Sequence, residues 1–185
     1  MKNAIVRQLN TINRYFYRDH GADFADTRQK PWPGWERLRE IITSLSEKHG
    51  EDFHCLDLGC GNARFADFVC ETLTDQQNDQ QENTSFQYTG IDIAGGGHSD
   101  EAKTVDAFYD GHTIPFPSKQ FDTVLCTQVL EHADDAAELV SECARVLAPG
   151  GHIFFSMPFT YPEHEVPYDF RRYTRFQHQR LLEKN

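Results

Sequence analysis

The chain has 185 residues, a hydrophobic fraction of 38% and a formal net charge of −11 at pH 7, which suits a single domain with a buried core. No apolar run reaches the roughly 18 residues of a membrane-spanning helix, and the polar N-terminus lacks the apolar region of a secretory signal, so we expect a cytoplasmic protein without a membrane span. The acidic charge disfavours a nucleic acid partner, because it repels phosphate backbones.

The first part of the chain contains three predicted helices. Apolar residues recur at helical spacing at positions 5–16 and again at 38–45. A further helix is expected from Asn62, a residue type that caps helices, to position 73. The polar stretch 75–85, DQQNDQQENTS, has no apolar periodicity and is interpreted as an exposed loop.

Short apolar runs predict the strands of a sheet, and they are FHCLDL (53–58), FQYTGIDI (86–93), FDTVLC (121–126) and GHIFFSM (151–157). A shorter strand is expected at 103–105, and a helix from 133 to 147 that the sequence APGG ends. Strands that alternate with helices imply parallel pairing, and continuous apolar runs imply cover on both faces. The predicted fold is therefore α/β, a three-layer α/β/α sandwich with a mainly parallel sheet.

We expect one domain with three parts. Residues 1–50 form a helical segment that packs on the core, and residues 51–160 form the core itself. Residues 161–185 form a lid over the substrate and the start of a C-terminal helix.

The five cysteines contain no C-x-x-C pair, which argues against a zinc site or a redox pair. Most lie in apolar stretches, where a free cysteine behaves as a small buried hydrophobe. That role is expected for Cys55, Cys60, Cys70, Cys126 and Cys143.

Ligands of parallel α/β sheets bind beyond the carboxyl ends of the strands, so the residues that follow each strand are the site candidates. After the first strand come Asp57, Gly59, Cys60 and Gly61. The glycines permit a tight turn and a close approach of the backbone to a ligand. An acid before the glycines opposes a pyrophosphate and suits a cationic amino acid, so a dinucleotide-dependent oxidoreductase fits poorly.

The later strand ends add further polar candidates. Asp92 follows the second strand, where a carboxylate accepts hydrogen bonds from ribose hydroxyls. Asp106 follows the predicted strand at 103–105 and is expected to accept a hydrogen bond from an adenine amino group. Gln128 follows the fourth strand, and His132 is interpreted either as a base or as the beginning of the next helix.

Four segments resemble successive motifs of class I S-adenosylmethionine-dependent methyltransferases, namely CLDLGCGNARF, GIDIA, VDAFYDGHTIPFPSKQFDTVLCTQVLEH and RVLAPGGHIFFSMPF. The nearest branch includes the ubiquinone and menaquinone biosynthesis methyltransferases. The resemblance implies a Rossmann-like fold, S-adenosylmethionine as the cofactor and S-adenosylhomocysteine as the product. It also implies cofactor contacts by Asp57, Gly59, Cys60, Gly61, Asp92, Ile93, Asp106, Ala107, Gln128 and Val129.

The segment YPEHEVPYDFRRYT, residues 161–174, is similar to one that lies over the substrate pocket in many family members. The resemblance implies the substrate-binding candidates His164, Tyr168, Asp169 and Arg172; a loop that packs on the sheet edge is the alternative. We expect direct methyl transfer to a small-molecule or lipid/sugar-type acceptor, with His132 or His164 as the base if the acceptor is a hydroxyl. Some ubiquinone-pathway and RNA-end methyltransferases have a metal site at an E-x-x-E-H motif. Here the first position is Gln128, which leaves only Glu131 and His132. No metal is expected, because a neutral amide is a poor substitute for a carboxylate ligand.

Two other functions remain open. The segment FADTRQKPWPGWERL, residues 24–38, resembles one in the tRNA wobble-uridine carboxymethyl methyltransferases, which would make a tRNA the acceptor. Ala63 stands where the family commonly has a glycine, which favours a non-catalytic protein of the same fold. The chain ends at Asn185 within the predicted C-terminal helix, before the strand pair that family members usually add, so either the sheet has five strands or the sequence is a fragment. A sheet without that pair has an exposed edge, which suits a homodimer.

Overall fold

The computed structural model describes residues 39–40, 42–44, 53–61, 66, 86–95 and 105–183. All of them belong to one compact unit, Leu38–Asn185. The helix predicted at 5–16, the loop at 75–85 and the segment at 24–38 lie outside the described residues. Every described position between 38 and 45 is helical, as is position 66 in the helix predicted from Asn62.

Five parallel strands form one sheet in the order β3-β2-β1-β4-β5. Their bounds are Phe53–Leu58 (β1), Phe86–Ile93 (β2), Ala107–Tyr109 (β3), Phe121–Thr127 (β4) and Leu147–Ser156 (β5). The chain builds one half of the sheet outward from β1 and then returns to the other side of β1 with β4. Ligands of such sheets bind at this switch point, beyond the carboxyl ends of β1 and β4. The predicted α/β class and parallel pairing are confirmed.

The register brings the ends of the central strands to one level. Leu58 of β1 pairs with Ile91 of β2 and with Cys126 of β4, and Cys126 pairs with Phe155 of β5. The residues that directly follow this level therefore lie along one edge of the sheet. We call this edge the carboxyl edge.

The position of the third strand differs from the prediction. The strand expected at 103–105 is instead Ala107–Tyr109, and Ala107 pairs with Ile91. Asp106 thus precedes β3, and its backbone N–H donates to the carbonyl oxygen of Gly90 over 2.8 Å. Its carboxylate accepts a hydrogen bond from the Gly90 N–H, also at 2.8 Å. Asp106 and Ala107 are therefore not strand-end residues, and the placement predicted for them is wrong.

The helix between β4 and β5 is shorter than predicted. Helix α1 spans Ala136–Val146, and the Asp135 side chain caps it by accepting hydrogen bonds from the amides of Ala137 and Glu138. The carbonyl oxygens of Ala133 and Asp134 accept hydrogen bonds from the Arg171 guanidinium. These bonds hold the two residues outside the helix. At the other end the chain turns directly into β5, before the APGG sequence. Phe121 of β4 pairs with Leu147 of β5, but Thr123 pairs with His152, so the register changes between them. This irregularity, with a positive φ at Gly150, accommodates the additional residues of β5.

The C-terminal helix α2 spans Arg175–Leu182 and begins at the Thr174 cap, as predicted. Neither α1 nor α2, nor any other described helix, has both the length and the hydropathy of a membrane span.

The core lies between the sheet and α1. Leu56, Val124 and Leu139 are fully or almost fully buried within it. The cysteines that the structure describes are free and buried, which confirms their predicted role; they are Cys55, Cys60, Cys126 and Cys143. The remaining cysteine lies outside the described residues.

Candidate functional site

The turn after β1, which we call the glycine turn (Gly59–Gly61), lies at the carboxyl edge. Gly59 and Gly61 have φ values of 71° and 54°, which residues other than glycine rarely adopt. The amides of Gly59 and Cys60 donate to the carbonyl oxygen of Ile91 over 2.8 and 3.0 Å. A Cβ atom at Gly59 would lie 2.4 Å from the Val129 side chain. The turn is therefore fixed between β2 and the loop that follows β4.

Asp92 stands beside the glycine turn at the end of β2. Its Oδ2 accepts a hydrogen bond from the Gly61 N–H at 2.7 Å, and its Oδ1 accepts one from the Ile93 N–H at 2.7 Å. Each oxygen keeps a second lone pair for another donor. The Ile93 side chain next to it is 43% exposed and offers an apolar surface.

Asp57 lies beneath the glycine turn and is fully buried. The Tyr88 hydroxyl donates to its Oδ2 over 2.5 Å, whereas its Oδ1 has no hydrogen-bond partner among the described residues. Burial raises the pKa of Asp57 to about 7, despite the opposing effect of the Tyr88 hydrogen bond. Burial and the nearby acids also raise the pKa of Cys60 to about 12, which keeps its thiol neutral. Tyr88 is a site residue that the sequence reasoning missed.

Asp110 occupies the position that the sequence analysis had assigned to Asp106, directly after β3. Its Oδ1 accepts hydrogen bonds from the amides of His112 and Thr113 over 2.8 and 2.7 Å. These bonds, that of Thr113 foremost, lower the pKa of Asp110. The next residue, Gly111, has a φ of 85°, and a Cβ there would lie 3.9 Å from the Ile93 side chain. The carboxylate is therefore placed at the same edge as Ile93.

The loop after β4 completes the central part of the carboxyl edge. The Gln128 N–H donates to the carbonyl oxygen of Ser156 over 2.8 Å, and its side-chain amide reaches the Ser156 hydroxyl at 3.3 Å. Val129 packs on Gly59, and the His132 N–H donates to the Val129 carbonyl over 2.9 Å. One short loop thus joins the glycine turn to His132.

The structure brings His132 and His164 together from segments 32 positions apart, with 3.2 Å between their Nε2 atoms. Between them lies Glu131, which is fully buried and whose Oε1 is 3.9 Å from each Nε2. We call these three residues the histidine cluster. Burial raises the pKa of Glu131 to about 7 and lowers the pKa of His132. The sequence analysis predicted both histidines as candidate bases and noted Glu131 only as part of an incomplete metal motif. The place of Glu131 in the cluster depends on the fold.

The lid segment, residues 161–174, holds His164 in this position. Asp169 forms an ion pair with Arg172, which lowers the pKa of the Asp169 carboxyl to about 2. The same carboxylate accepts a hydrogen bond from the His164 N–H at 3.0 Å, and Arg172 also donates to the Pro162 carbonyl over 3.0 Å. In this arrangement Asp169 and Arg172 bind the lid segment itself. Tyr168, the fourth predicted substrate residue, is 63% exposed.

The sequence matches that of known proteins over most of its length. The methyltransferase domain family model matches residues 25–183. A ubiquinone biosynthesis O-methyltransferase of Paracidovorax citrulli is 34% identical over 111 residues, which cover 55% of this chain and 42% of that protein. A probable S-adenosylmethionine-dependent methyltransferase of Mycolicibacterium smegmatis is 28% identical over 129 residues, 67% of this chain and 45% of that protein. The chain thus spans less than half the length of these curated relatives.

Solved structures share the fold. A chain of the complex between the Haloferax volcanii Trm112 methyltransferase activator and a putative methyltransferase has a TM-score of 0.53 at 20% identity, with 82% of this chain and 72% of that chain covered. A SAM-dependent methyltransferase from Aquifex aeolicus has a TM-score of 0.54 at 15% identity, with 86% of both chains covered. Because the family match covers most of the chain and the fold agrees with it, this protein belongs to the methyltransferase domain family, whose S-adenosylmethionine-dependent members share this Rossmann-like α/β fold.

Proposed function

We propose that this chain transfers the methyl group of S-adenosylmethionine to a hydroxyl oxygen of a small-molecule acceptor. One observation carries the proposal: the glycine turn and the histidine cluster are neighbours at the carboxyl edge. The contact between Gly59 and Val129, and the hydrogen bond from His132 to Val129, connect the two. A cofactor at the turn would therefore lie beside a group that can take a proton from an acceptor.

The residues around the glycine turn suit the cofactor. The free lone pairs of Asp92 can accept hydrogen bonds from ribose hydroxyls. The absence of a side chain at Gly61 lets a ligand approach the backbone, whereas the absence of one at Gly59 admits the Val129 side chain. The exposed Ile93 side chain offers a face for the adenine ring. We assign the hydrogen bond from the adenine amino group to Asp110 rather than to Asp106, because Asp110 directly follows β3.

The cofactor, when bound, supplies a methyl group on a positively charged sulfur that leaves as a neutral thioether. The protein contributes alignment, exclusion of water and a proton acceptor. An unprotonated Nε2 of His132 or His164 takes the proton of the acceptor hydroxyl. The histidine would keep the proton of the hydroxyl whose oxygen receives the methyl group, so the positive charge that the cofactor sulfur loses would end on the imidazole.

The lid segment supports an acceptor with an apolar body. Its side chains Val166, Tyr168 and Phe170 are exposed in the segment that also carries His164, and the centroids of the Tyr168 and Phe170 rings are 6.3 Å apart. The relatives named as O-methyltransferases of ubiquinone biosynthesis also support an oxygen acceptor. In this proposal Tyr168 contacts the acceptor, whereas Asp169 and Arg172 position His164.

The test is an assay of the full chain with S-adenosylmethionine and a panel of small hydroxylated acceptors, with amines as a comparison set. Mass spectrometry of the products follows S-adenosylhomocysteine and the methylated acceptor together. We expect the wild type to methylate oxygen. Asp92→Ala should lower the rate because it weakens cofactor binding. A His132→Ala, His164→Ala double variant should lower the rate while its affinity for the cofactor is unchanged. Transfer to nitrogen alone, or cofactor binding without transfer to any acceptor, would contradict the proposal.

A further inference from the structure

We infer that Glu142 and Arg145 of α1 are positioning residues for the adenine end of the cofactor. Their side chains fix the chain between β3 and β4, residues 110–120, which we call the β3–β4 segment. The segment begins with Asp110, so the inference rests on the assignment of the adenine amino group to Asp110 in the proposed function. It concerns two residues that act through Asp110 and not by contact with the cofactor.

Glu142 and Arg145 form a paired ion bridge on α1. The Nε atom of Arg145 donates to Oε1 of Glu142, and the Nη2 atom donates to Oε2, each over 2.7 Å. Two parallel hydrogen bonds between a guanidinium and a carboxylate are strong and fix the relative orientation of the two groups. The hydrogen bonds from Arg145 lower the pKa of Glu142, so the pair is ionised at neutral pH.

This pair binds both backbone groups of one residue in the β3–β4 segment. Oε2 of Glu142 accepts a hydrogen bond from the Ile114 N–H at 2.9 Å, and Nη2 of Arg145 donates to the Ile114 carbonyl oxygen over 2.8 Å. Nη1 of Arg145 donates to the Phe116 carbonyl oxygen, also over 2.8 Å. Side chains of α1 thus satisfy backbone groups that a neighbouring strand satisfies within a sheet.

The far end of the segment is held by the backbone of α1. The Lys119 N–H donates to the Arg145 carbonyl oxygen over 3.0 Å, and the Gln120 N–H donates to that of Val146 over 2.8 Å. These bonds do not involve the Arg145 side chain. A substitution of Arg145 therefore releases the part of the segment near β3 and leaves the connection to β4 in place.

The fixed residue Ile114 directly follows the turn that Asp110 closes. Oδ1 of Asp110 accepts hydrogen bonds from the amides of His112 and Thr113. The peptide unit that Glu142 binds is therefore the neighbour of one that Asp110 binds. These bonds use Oδ1 of Asp110, which leaves Oδ2 for a ligand. Any shift of Ile114 moves this turn and changes the direction of the Asp110 carboxylate.

The experiment compares two ligands of the full chain by calorimetry without an acceptor. One is S-adenosylhomocysteine, and the other is its analogue with hydrogen in place of the adenine amino group. The ratio of their affinities reports the hydrogen bond of the amino group alone, because the rest of the two ligands is the same. We expect the wild type to prefer S-adenosylhomocysteine by about tenfold, the value of one hydrogen bond to a charged group.

Arg145→Lys keeps the positive charge but cannot form the paired hydrogen bonds. We expect its preference to fall by about threefold or more, as in Asp110→Asn, because each variant weakens the same hydrogen bond. The double variant should show no further fall, since the two residues act through one contact. Glu142→Gln keeps an acceptor for the Ile114 N–H and should show a smaller fall in the same direction.

Glu138→Gln and Val140→Ala are the controls on the same helix. Glu138 contacts His112 of the segment at 3.0 Å, but the two side chains are 54% and 47% exposed, and such surface pairs contribute little. Val140 is buried in the core, so its truncation lowers stability without changing the segment. Both variants should keep the wild-type preference, and circular dichroism with urea unfolding verifies that each variant is folded.

A wild-type preference in Arg145→Lys, together with a reduced one in Asp110→Asn, would overturn the inference and leave the assignment of Asp110 intact. A wild-type preference in Asp110→Asn would overturn both. An equal fall in Val140→Ala would also overturn the inference, because any loss of stability would then have the same effect. The assay contains no acceptor, so methyl transfer to nitrogen would contradict the proposed acceptor without changing these outcomes.

Discussion

The two sides of the carboxyl edge are built in different ways. On the cofactor side, backbone amides fix the site: the amides of Gly59 and Cys60 bind β2, and that of Gly61 binds Asp92. On the side that we propose for the acceptor, which we call the acceptor side, side chains fix the histidine cluster, since the interactions of the lid segment bring His164 to His132. The cofactor side therefore depends on local backbone geometry, and the acceptor side on long-range contacts.

This difference predicts how each side responds to substitution. A change in the glycine turn should disturb the fold and the cofactor site together, because the same hydrogen bonds support both. A change in the lid segment should alter the histidine cluster while the sheet remains intact. The predictions below test this division, beginning with the largest effect.

The largest effect is expected from Gly59→Ala. Its positive φ of 71° disfavours any L side chain by about 1–2 kcal/mol, and the overlap with Val129 adds about 1–3 kcal/mol. We expect the free energy of unfolding, measured with denaturant, to fall by the sum of these two contributions. Cofactor binding should weaken strongly. The control is Gly95→Ala, with a φ of 81° but no atom within 4 Å of the new Cβ. Equal destabilisation of the two variants would refute the close contact with Val129.

A smaller effect is expected from the titration of Asp57. Its pKa of about 7 means that most molecules hold its proton at pH 6, whereas the cationic cofactor favours the ionised form. Cofactor affinity should therefore rise about tenfold from pH 6 to pH 8, which corresponds to one pKa unit. Calorimetric titrations across this range measure the slope, and Asp57→Asn should flatten it. A slope that persists in the variant would assign the titration to another group.

The same pKa has a consequence for the stability of the cofactor-free protein. The folded state holds the Asp57 proton more tightly than the unfolded chain, whose aspartates titrate near 3.8. The stabilisation is complete below about pH 4 and is lost as the pH rises towards about 7. Asp57→Asn removes this contribution, so its stability relative to the wild type should increase over that window in urea unfolding at each pH.

The smallest effect is expected from Asp110→Asn. It removes the charge of a carboxylate that we place near the adenine, so cofactor binding should weaken by about 0.5–1.5 kcal/mol, the value of one hydrogen bond. Asp106→Asn is the control, because its carboxylate already accepts a hydrogen bond from the Gly90 amide of β2. It should leave cofactor affinity unchanged. The reverse result would restore Asp106 to the adenine site.

The strands with long apolar runs could be predicted from the sequence, and those of β1 and β2 agree with the prediction residue by residue. β3 has only three residues, and the middle one, Phe108, is exposed. It gave no apolar run, so the strand was placed too early and Asp106 was chosen over Asp110. Short strands paired at one side depend on their neighbours more than on their own sequence.

The histidine cluster was only partly predictable. Each histidine was a candidate by its position after an apolar run or in the lid segment, but no sequence spacing relates residues that are 32 positions apart. Glu131 was visible in the sequence only as part of an E-x-x-E-H pattern whose first position is Gln128, and that pattern does not predict burial. Only the fold shows that it is buried between the two rings.

The most direct test of the central claim, a cofactor site at the carboxyl ends of β1 and β2, is calorimetric titration of the full chain with S-adenosylmethionine. The wild type should bind one molecule with micromolar affinity. Asp92→Ala should bind about 10–100-fold more weakly, as expected for hydrogen bonds to a charged group. Asp122→Asn, at the opposite end of the sheet beside His54, should match the wild type. No binding at millimolar cofactor, or equal affinity of Asp92→Ala and the wild type, would contradict the account.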